Sequence, residues 1–332
     1  MPDPKNTKGY RLGIVNPLTL VGAEIRSILR ERSFPFQKVV LLDSSGKAAG
    51  AVTEVNGEPA LVSPISAEEL EDLDLVFFCG DADNNRDWIA QASEQHFIAI
   101  DLSRPPAIDD GTLAIFGLES SQPATQEPVL ISPHPVAIPI ALILHELGKI
   151  GRVQSCTATV IQPASEFDQA GVEELAQQAT SILNVRSMTK EVFDRQLAFN
   201  LYPSPERQET FIAPQILALT DARLELAMMI TQGTVFHSHA FSLFVRMEKA
   251  VDLIAVKARL AENAVFAFAE GDQEFGVIDA AGRDEILIAE VRAEPSIRNG
   301  FWLWAVCDNL RRGSALNAVL IAEKALFTSV LN

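Results

Sequence analysis

Arg11-Leu12-Gly13-Ile14-Val15, then Asn16-Pro17-Leu18-Thr19, then the stretch Val21 to Arg32, decides the fold of this 332-residue chain. The first five residues read as a strand and the Asn-Pro pair as a turn. Val21, Ile25, Ile28 and Leu29 fall on one face of a helix. Ser33-Phe34-Pro35 ends that helix, and Lys38-Val39-Val40-Leu41-Leu42-Asp43 reads as a second strand closed by Ser44-Ser45-Gly46. Strand, helix and strand in that order favour a right-handed crossover and a parallel sheet. Asp74-Leu75-Val76-Phe77-Phe78-Cys79 is apolar without alternation, as a strand covered on both faces must be. A helical pattern at Arg86–Ser93 and a strand at Phe97–Asp101 extend a doubly wound, Rossmann-like α/β domain.

Such a domain binds dinucleotides where a glycine-rich turn lets backbone approach a pyrophosphate. Here only Gly22 survives in the first loop, and Asn16 and Thr19 carry side chains where glycine would leave room. Asp43 ends the second strand, where a carboxylate accepts a ribose hydroxyl and repels a 2′-phosphate. Gly80 opens the loop after the third strand, which adds Asp81 and Asp83. The cofactor-binding candidates are Asn16, Thr19, Leu20, Val21, Gly22, Asp43 and Gly80; with so much of the fingerprint missing, the preferred reading is a Rossmann-like scaffold whose crevice is altered or empty, and dinucleotide binding is the alternative.

Ser132-Pro133-His134-Pro135-Val136-Ala137-Ile138-Pro139 follows a short strand, Val129–Ile131. Its prolines make a stiff bend that aims a buried helix, Ile138–Leu147. A helix N-terminus is a natural place for a nucleophile or an anion. Proline stands there instead. Beyond Gly151 the pattern becomes α+β, with a mixed or antiparallel sheet: a strand at Val153–Gln162, a helix at Gly171–Leu183, a helix at Ile216–Met229 and one long strand at Thr231–Arg246. Phe301–Arg312 and Ala315–Phe327 read as closing helices.

The formal charge is −17, which excludes nucleic acid and anionic membrane as partners, since both select basic surfaces. The polar start, Met1–Tyr10, reads as a disordered lead-in, and no apolar run is long enough for a membrane span. Cys79, Cys156 and Cys307 are few, separated and set in apolar sequence. That pattern argues against disulfides or a metal site and for a reducing, cytoplasmic setting.

The closing stretch Trp304-Ala305-Val306-Cys307-Asp308-Asn309-Leu310-Arg311-Arg312-Gly313-Ser314-Ala315-Leu316-Asn317-Ala318-Val319-Leu320-Ile321-Ala322-Glu323 resembles the closing signature of aspartate-semialdehyde dehydrogenases. Val21-Gly22 with Arg32-Ser33-Phe34-Pro35 extends the likeness. So do Gln162 with Gln169-Ala170-Gly171, Glu173-Glu174-Leu175, and Phe199-Asn200 with Pro203. The resemblance implies a Rossmann-like domain over residues 1–133, completed by 312–332, and an α+β domain like that of glyceraldehyde-3-phosphate dehydrogenase over 134–311, which carries catalysis and dimerisation. It also implies a homodimer that uses NADP to interconvert aspartyl phosphate and aspartate semialdehyde, through a cysteine thioester, in amino-acid biosynthesis.

The departures fall on the chemistry. Pro135 stands where the resemblance implies the nucleophilic cysteine, and proline offers neither a thiol nor an N–H. Gln162 matches the glutamine that orients the acyl group. The catalytic histidine is His239 or His237, two apart on one expected strand and hence on one face, with His239 preferred. In that register Gln232 replaces a substrate-binding arginine; Arg104 is a shifted candidate for a second, and Leu320 replaces a glutamine at the cofactor face. Two readings stand: a non-catalytic or strongly impaired, dimeric binding or structural member of the family, which is preferred, and an NAD(P)-dependent oxidoreductase with non-covalent chemistry on a small carbonyl compound.

Overall fold

A computed structural model describes residues 9–106, 111–118, 128–269 and 274–328. Residues 1–8 of the expected lead-in lie outside these residues, while Tyr10, its last residue, opens the first strand. The chain divides into two compact units, one of Met1–His134 with Ser314–Asn332 and one of Pro135–Gly313.

The first unit contains β1 (Tyr10–Val15), α1 (Leu20–Glu31), β2 (Phe36–Asp43), β3 (Val52–Val55), β4 (Glu58–Pro64), α2 (Ala67–Leu70), β5 (Leu75–Phe78), α3 (Ala82–Ile89), α4 (Ala92–Gln95), β6 (Ile98–Asp101), β7 (Thr112–Leu113) and β8 (Val129–Ile131). Its sheet runs β3-β4-β2-β1-β5-β6-β8-β7, and every described pairing but β3–β4 is parallel. Strand order reverses at β1, which has β2 on one side and β5 on the other. Such a switch point opens a crevice at the carboxyl ends of the strands. The β3–β4 hairpin was not legible, because Val52, Thr53 and Glu54 alternate too briefly to stand out.

The last helix, Leu316–Thr328, belongs to this unit. Ala318, Val319 and Ala322 join Ile25, Ile28 and Leu29 of α1 in one core. Arg32 grips Glu323 through Nε and Nη2 at 2.7 and 2.8 Å. The Asn317 amide donates to the Ser132 hydroxyl at 3.0 Å and to the Ala114 carbonyl at 3.1 Å, and its oxygen accepts from the Phe116 N–H. Much of the closing signature thus serves packing. Leu320 is buried with it.

The second unit opens with α5 (Ala137–Gly148) and β9 (Val153–Gln162). A tight turn at Ala164–Phe167 leads to α6 (Asp168–Leu183), β10 (Leu201–Pro203), α7 (Glu209–Leu219), β11 (Glu225–Gly233) and β12 (His239–Met247). Then come α8 (Leu253–Ala261), β13 (Phe266–Phe268), α9 (Val277–Ala280), β14 (Ile286–Ala293) and β15 (Gly300–Cys307). The sheet is mixed, in the order β10-β11-β9-β12-β15-β14-β13, with β11–β9 and β13–β14 parallel. Residues on one face, such as Phe241, Leu243 and Val245, are buried, while on the other Met229 is 55% exposed.

Three expectations are corrected. Helix α7 stops at Leu219 and β11 begins at Glu225, so Ile216–Met229 is not one helix. The expected strand Thr231–Arg246 is two strands joined by a turn. Phe301–Cys307 is a strand: its large aromatic and branched residues suit a pleated surface, and its burial alternates. Among the described residues no helix is long and apolar enough to cross a membrane.

Candidate functional site

In the first unit the side chains at the switch point turn inward and bind to one another. Asn16 takes φ 55°, a left-handed value that asparagine tolerates better than most residues. Its Nδ2 donates to the Cys79 carbonyl at 2.8 Å and to the Ser44 hydroxyl at 2.9 Å, and its Oδ1 accepts from the Ser44 N–H at 3.1 Å. Asn85 donates to the same Cys79 carbonyl at 2.8 Å and to the Ser103 hydroxyl at 3.0 Å. This buried lattice ties together the ends of β1, β2, β5 and β6. Sequence reasoning missed Asn85 and Ser103, since single polar residues in loops carry no local signature.

Thr19 caps α1, accepting the Gly22 N–H at 3.1 Å and donating to the Asn16 carbonyl at 2.9 Å. Gly22 is required for close approach: a Cβ there would lie 2.7 Å from the Asn16 carbonyl oxygen. Leu20 and Val21 follow, half-buried in the first turn. Gly80 takes φ +84° beside the Asn16 amide. Asp43 is engaged within its own loop. One carboxylate oxygen accepts from the Ser45 N–H and hydroxyl at 3.0 and 2.6 Å, the other from the Ala48 and Ala49 N–H groups at 2.8 and 2.9 Å. Burial would raise its pKa, but the Ser45 hydroxyl and those amides outweigh it and hold the group below the usual range. Four donors from its own loop thus engage the carboxylate. Arg104 is also engaged within this unit, donating to the Ser314 hydroxyl. His134 is buried.

In the second unit the sheet register gathers the residues that the sequence separated. Gln232 on β11 pairs with Gln162 on β9, and His239 on β12 pairs with Cys307 on β15. Ala240 lies opposite Ile161, which places His239 opposite Gln162. Gln232, Gln162, His239 and Cys307 therefore form one row across four strands, on one face, each at most 1% exposed. Gln232 donates to the Gln162 carbonyl at 3.2 Å. Both polar atoms of the Gln162 amide, Oε1 of Gln232 and Oγ of Ser238 are buried without a hydrogen-bond partner among the described residues. Each such group costs roughly 1–3 kcal/mol unless something satisfies it. Three of the four belong to the row's two glutamines.

His237 does not share the row. It sits half-buried in the turn before β12, and Ser238, at φ 73°, breaks the period-two alternation that would have kept the two histidines on one face. Asn309 holds that turn: its Oδ1 accepts from the Ser238 N–H at 3.0 Å, and its Nδ2 donates to the Ser165 hydroxyl at 3.1 Å. Ala164 and Ser165 donate to the carbonyls of Val235 and Phe236 at 2.7 and 3.0 Å. These contacts bring the Glu166 carboxylate, 3% exposed, to 3.5 Å from Nε2 of His239. Glu166 was not singled out in the sequence, where one acid in a turn carries no distinguishing signal.

Pro135 is buried just ahead of α5, against Gly313: an ideal Cβ on that glycine would lie 3.0 Å from Cβ of Pro135. Cys307 is in the row, but burial, and then the Asp308 charge, push its thiol pKa far up. Burial alone raises Cys156 to about 12. Neither presents a thiolate at neutral pH.

The chain matches two family descriptions in succession. Residues 12–142 match "Semialdehyde dehydrogenase, NAD binding domain" and residues 144–312 match "Semialdehyde dehydrogenase, dimerisation domain". A protein from Azotobacter vinelandii named USG-1 protein homolog is 31% identical over 329 residues, covering 94% of this chain and 96% of that one. The aspartate-semialdehyde dehydrogenase of Rickettsia bellii is 26% identical over 345 residues, covering 97% and 99%. The crystal structure of aspartate semialdehyde dehydrogenase II from Vibrio cholerae, complexed with ASA, superimposes with a TM-score of 0.91 at 24% identity, over 96% of this chain and 99% of that one. With both halves matched in the family's order and relatives aligned nearly end to end, the chain belongs to the semialdehyde dehydrogenase family.

Proposed function

We propose that this chain is a family member without the family's thioester chemistry, a homodimer that binds a small polar molecule in its second unit. The observation that carries the reading is Pro135, buried where the resemblance implies the nucleophile, with Cys156 and Cys307 too deeply buried to replace it. The test is phosphate-dependent oxidation of aspartate semialdehyde by the purified protein with NADP and with NAD. No turnover is expected, and a rate on the order of 1–1000 per second would overturn the proposal. Pro135→Cys alone should not restore activity, because Gln232 still lacks a guanidinium for bidentate capture of a carboxylate.

The dimer is supported by the dimerisation-domain match and by the open sheet face that carries Met229. The cysteines are free and buried, which fits a reducing, cytoplasmic setting. A role for NADP or NAD follows from the match of the first unit. The helix α1 N-terminus and the loop backbone at Leu20 and Val21 would hold the pyrophosphate. When bound, the cofactor would exchange a hydride with a carbonyl compound.

A second reading, an oxidoreductase without a covalent intermediate, is favoured by the His239–Glu166 contact beside the Gln162 amide. Glu166 would orient the imidazole, and His239 would move a proton to or from a carbonyl oxygen. Calorimetry with NAD, NADH, NADP and NADPH decides: no binding of any at millimolar concentration removes this reading.

A further inference from the structure

Arg312 is 3% exposed, and its Nε and Nη2 have no hydrogen-bond partner among the described residues. Burial lowers its pKa, but a guanidinium in a protein stays charged. An unpaired buried cation is among the costliest arrangements a fold can keep.

The acids close by are committed elsewhere. Asp308 accepts from the Leu310, Arg311 and Gly282 N–H groups at 2.8, 2.9 and 2.6 Å. Asp284 is paired with Arg311. The unpartnered edge of Arg312 is the edge that holds carboxylates elsewhere in this chain. Arg32 uses Nε and Nη2 to grip Glu323, and Arg223 uses the same two atoms on Asp221, both at 3.1 Å. Two parallel N–H donors match the spacing of carboxylate or phosphate oxygens.

Its position ties Arg312 to the row of unsatisfied amides. Its charge acts on the Cys307 thiol, and Cys307 pairs with His239. The next residue, Gly313, lies against Pro135. A wide turn over Arg311–Ala315, fixed by the Asp308 contacts, sends Arg311 toward Asp284 and leaves Arg312 buried.

We propose that Arg312 is an anion-binding residue of the second unit, gripping the carboxylate or phosphate group of a small ligand through Nε and Nη2. The inference rests on the reading of the second unit as a small-molecule site.

The test is thermal unfolding of the full-length protein with potassium succinate, with potassium phosphate and with neutral succinamide, at ionic strength matched by potassium chloride. At about 100 times its Kd, one of the anions should raise the wild-type Tm by about 3–8 °C. Succinamide should not. A response to succinate identifies a carboxylate ligand, and a response to phosphate a phosphorylated one. Arg312→Met should be at least as stable as wild type without anion and should not respond to it. Arg312→Lys keeps the charge and loses the fork, and should bind at least about tenfold more weakly.

The proposal is overturned if neither anion shifts the wild type beyond the chloride control, or if Arg312→Met responds as the wild type does. Should Arg312→Met fail to fold, wild-type affinity in Arg312→Lys overturns it. The readout is binding. Turnover of aspartate semialdehyde would therefore overturn the proposed function and leave this inference standing, and an anion-insensitive, inactive protein would do the reverse.

Discussion

Gly171→Ala should destabilise the second unit, and the reason lies in one short distance. A Cβ at residue 171, near the start of α6, would sit 2.3 Å from the Ala164 carbonyl oxygen and 2.8 Å from Cβ of Phe167. Real Cβ contacts essentially never fall under 3.0 Å, so the turn must retreat by at least 3.0 − 2.3 = 0.7 Å. That turn is pinned by the Ala164 N–H to the Val235 carbonyl at 2.7 Å and by Ser165 to Asn309. Overpacking of this kind costs about 1–3 kcal/mol, and backbone against backbone belongs at the upper end. Alanine's advantage over glycine in a helix returns about 0.5–1 kcal/mol. The net loss is about 2 kcal/mol, or roughly 30-fold in the folding equilibrium. Gly148→Ala is the control: that glycine ends α5 with nothing within 4 Å, so the same substitution should be neutral or stabilising. Urea unfolding read by tryptophan fluorescence measures both, since Trp302 and Trp304 lie on β15 and Trp88→Phe silences the first unit. The reasoning is refuted if Gly171→Ala stays within about 0.5 kcal/mol of wild type, or if Gly148→Ala falls as far.

The remaining expectations concern charge, thiols and assembly. Asp43 has its pKa lowered by folding, so its contribution is complete above the ordinary carboxylate pKa of about 3.9 and is lost as pH falls through the folded value. Asp43→Asn should therefore cost about 1–3 kcal/mol at pH 7 in urea titrations, with the gap narrowing toward pH 3; a gap that does not change with pH contradicts this. Titration with an aromatic disulfide at pH 8 should find no reactive thiol in the native protein and three in denaturant, and one fast native thiol would reopen the question of a nucleophile. Gel filtration should give twice the 36.2 kDa chain mass, and Met229→Arg on the open sheet face should shift elution toward the monomer. A wild-type monomer would remove the dimer from the account.

The first unit was legible because its βαβ logic is local. Strand β1, the turn and α1 each carry their own period, and the parallel sheet follows from connection rules. The second unit was harder to read: its sheet pairs β11 with β9 and β9 with β12, so that Val153 and Met247, neighbours in space, lie 94 residues apart in the chain. The aromatic strand Phe301–Cys307 was taken for a helix because, with both faces largely covered, little polar alternation marks it.

By itself the sequence pointed to the family and put proline at residue 135, since a residue's identity is covalent and no folding can supply a thiol to proline. It could not determine which polar residues meet. Only the tertiary structure placed Gln232, Gln162, His239 and Cys307 in one row, removed His237 from it through the left-handed Ser238, and closed Asp43 on its own loop. Strand register and backbone conformation set these contacts, and both are fixed by burial summed over the whole sheet, which no short window of sequence contains.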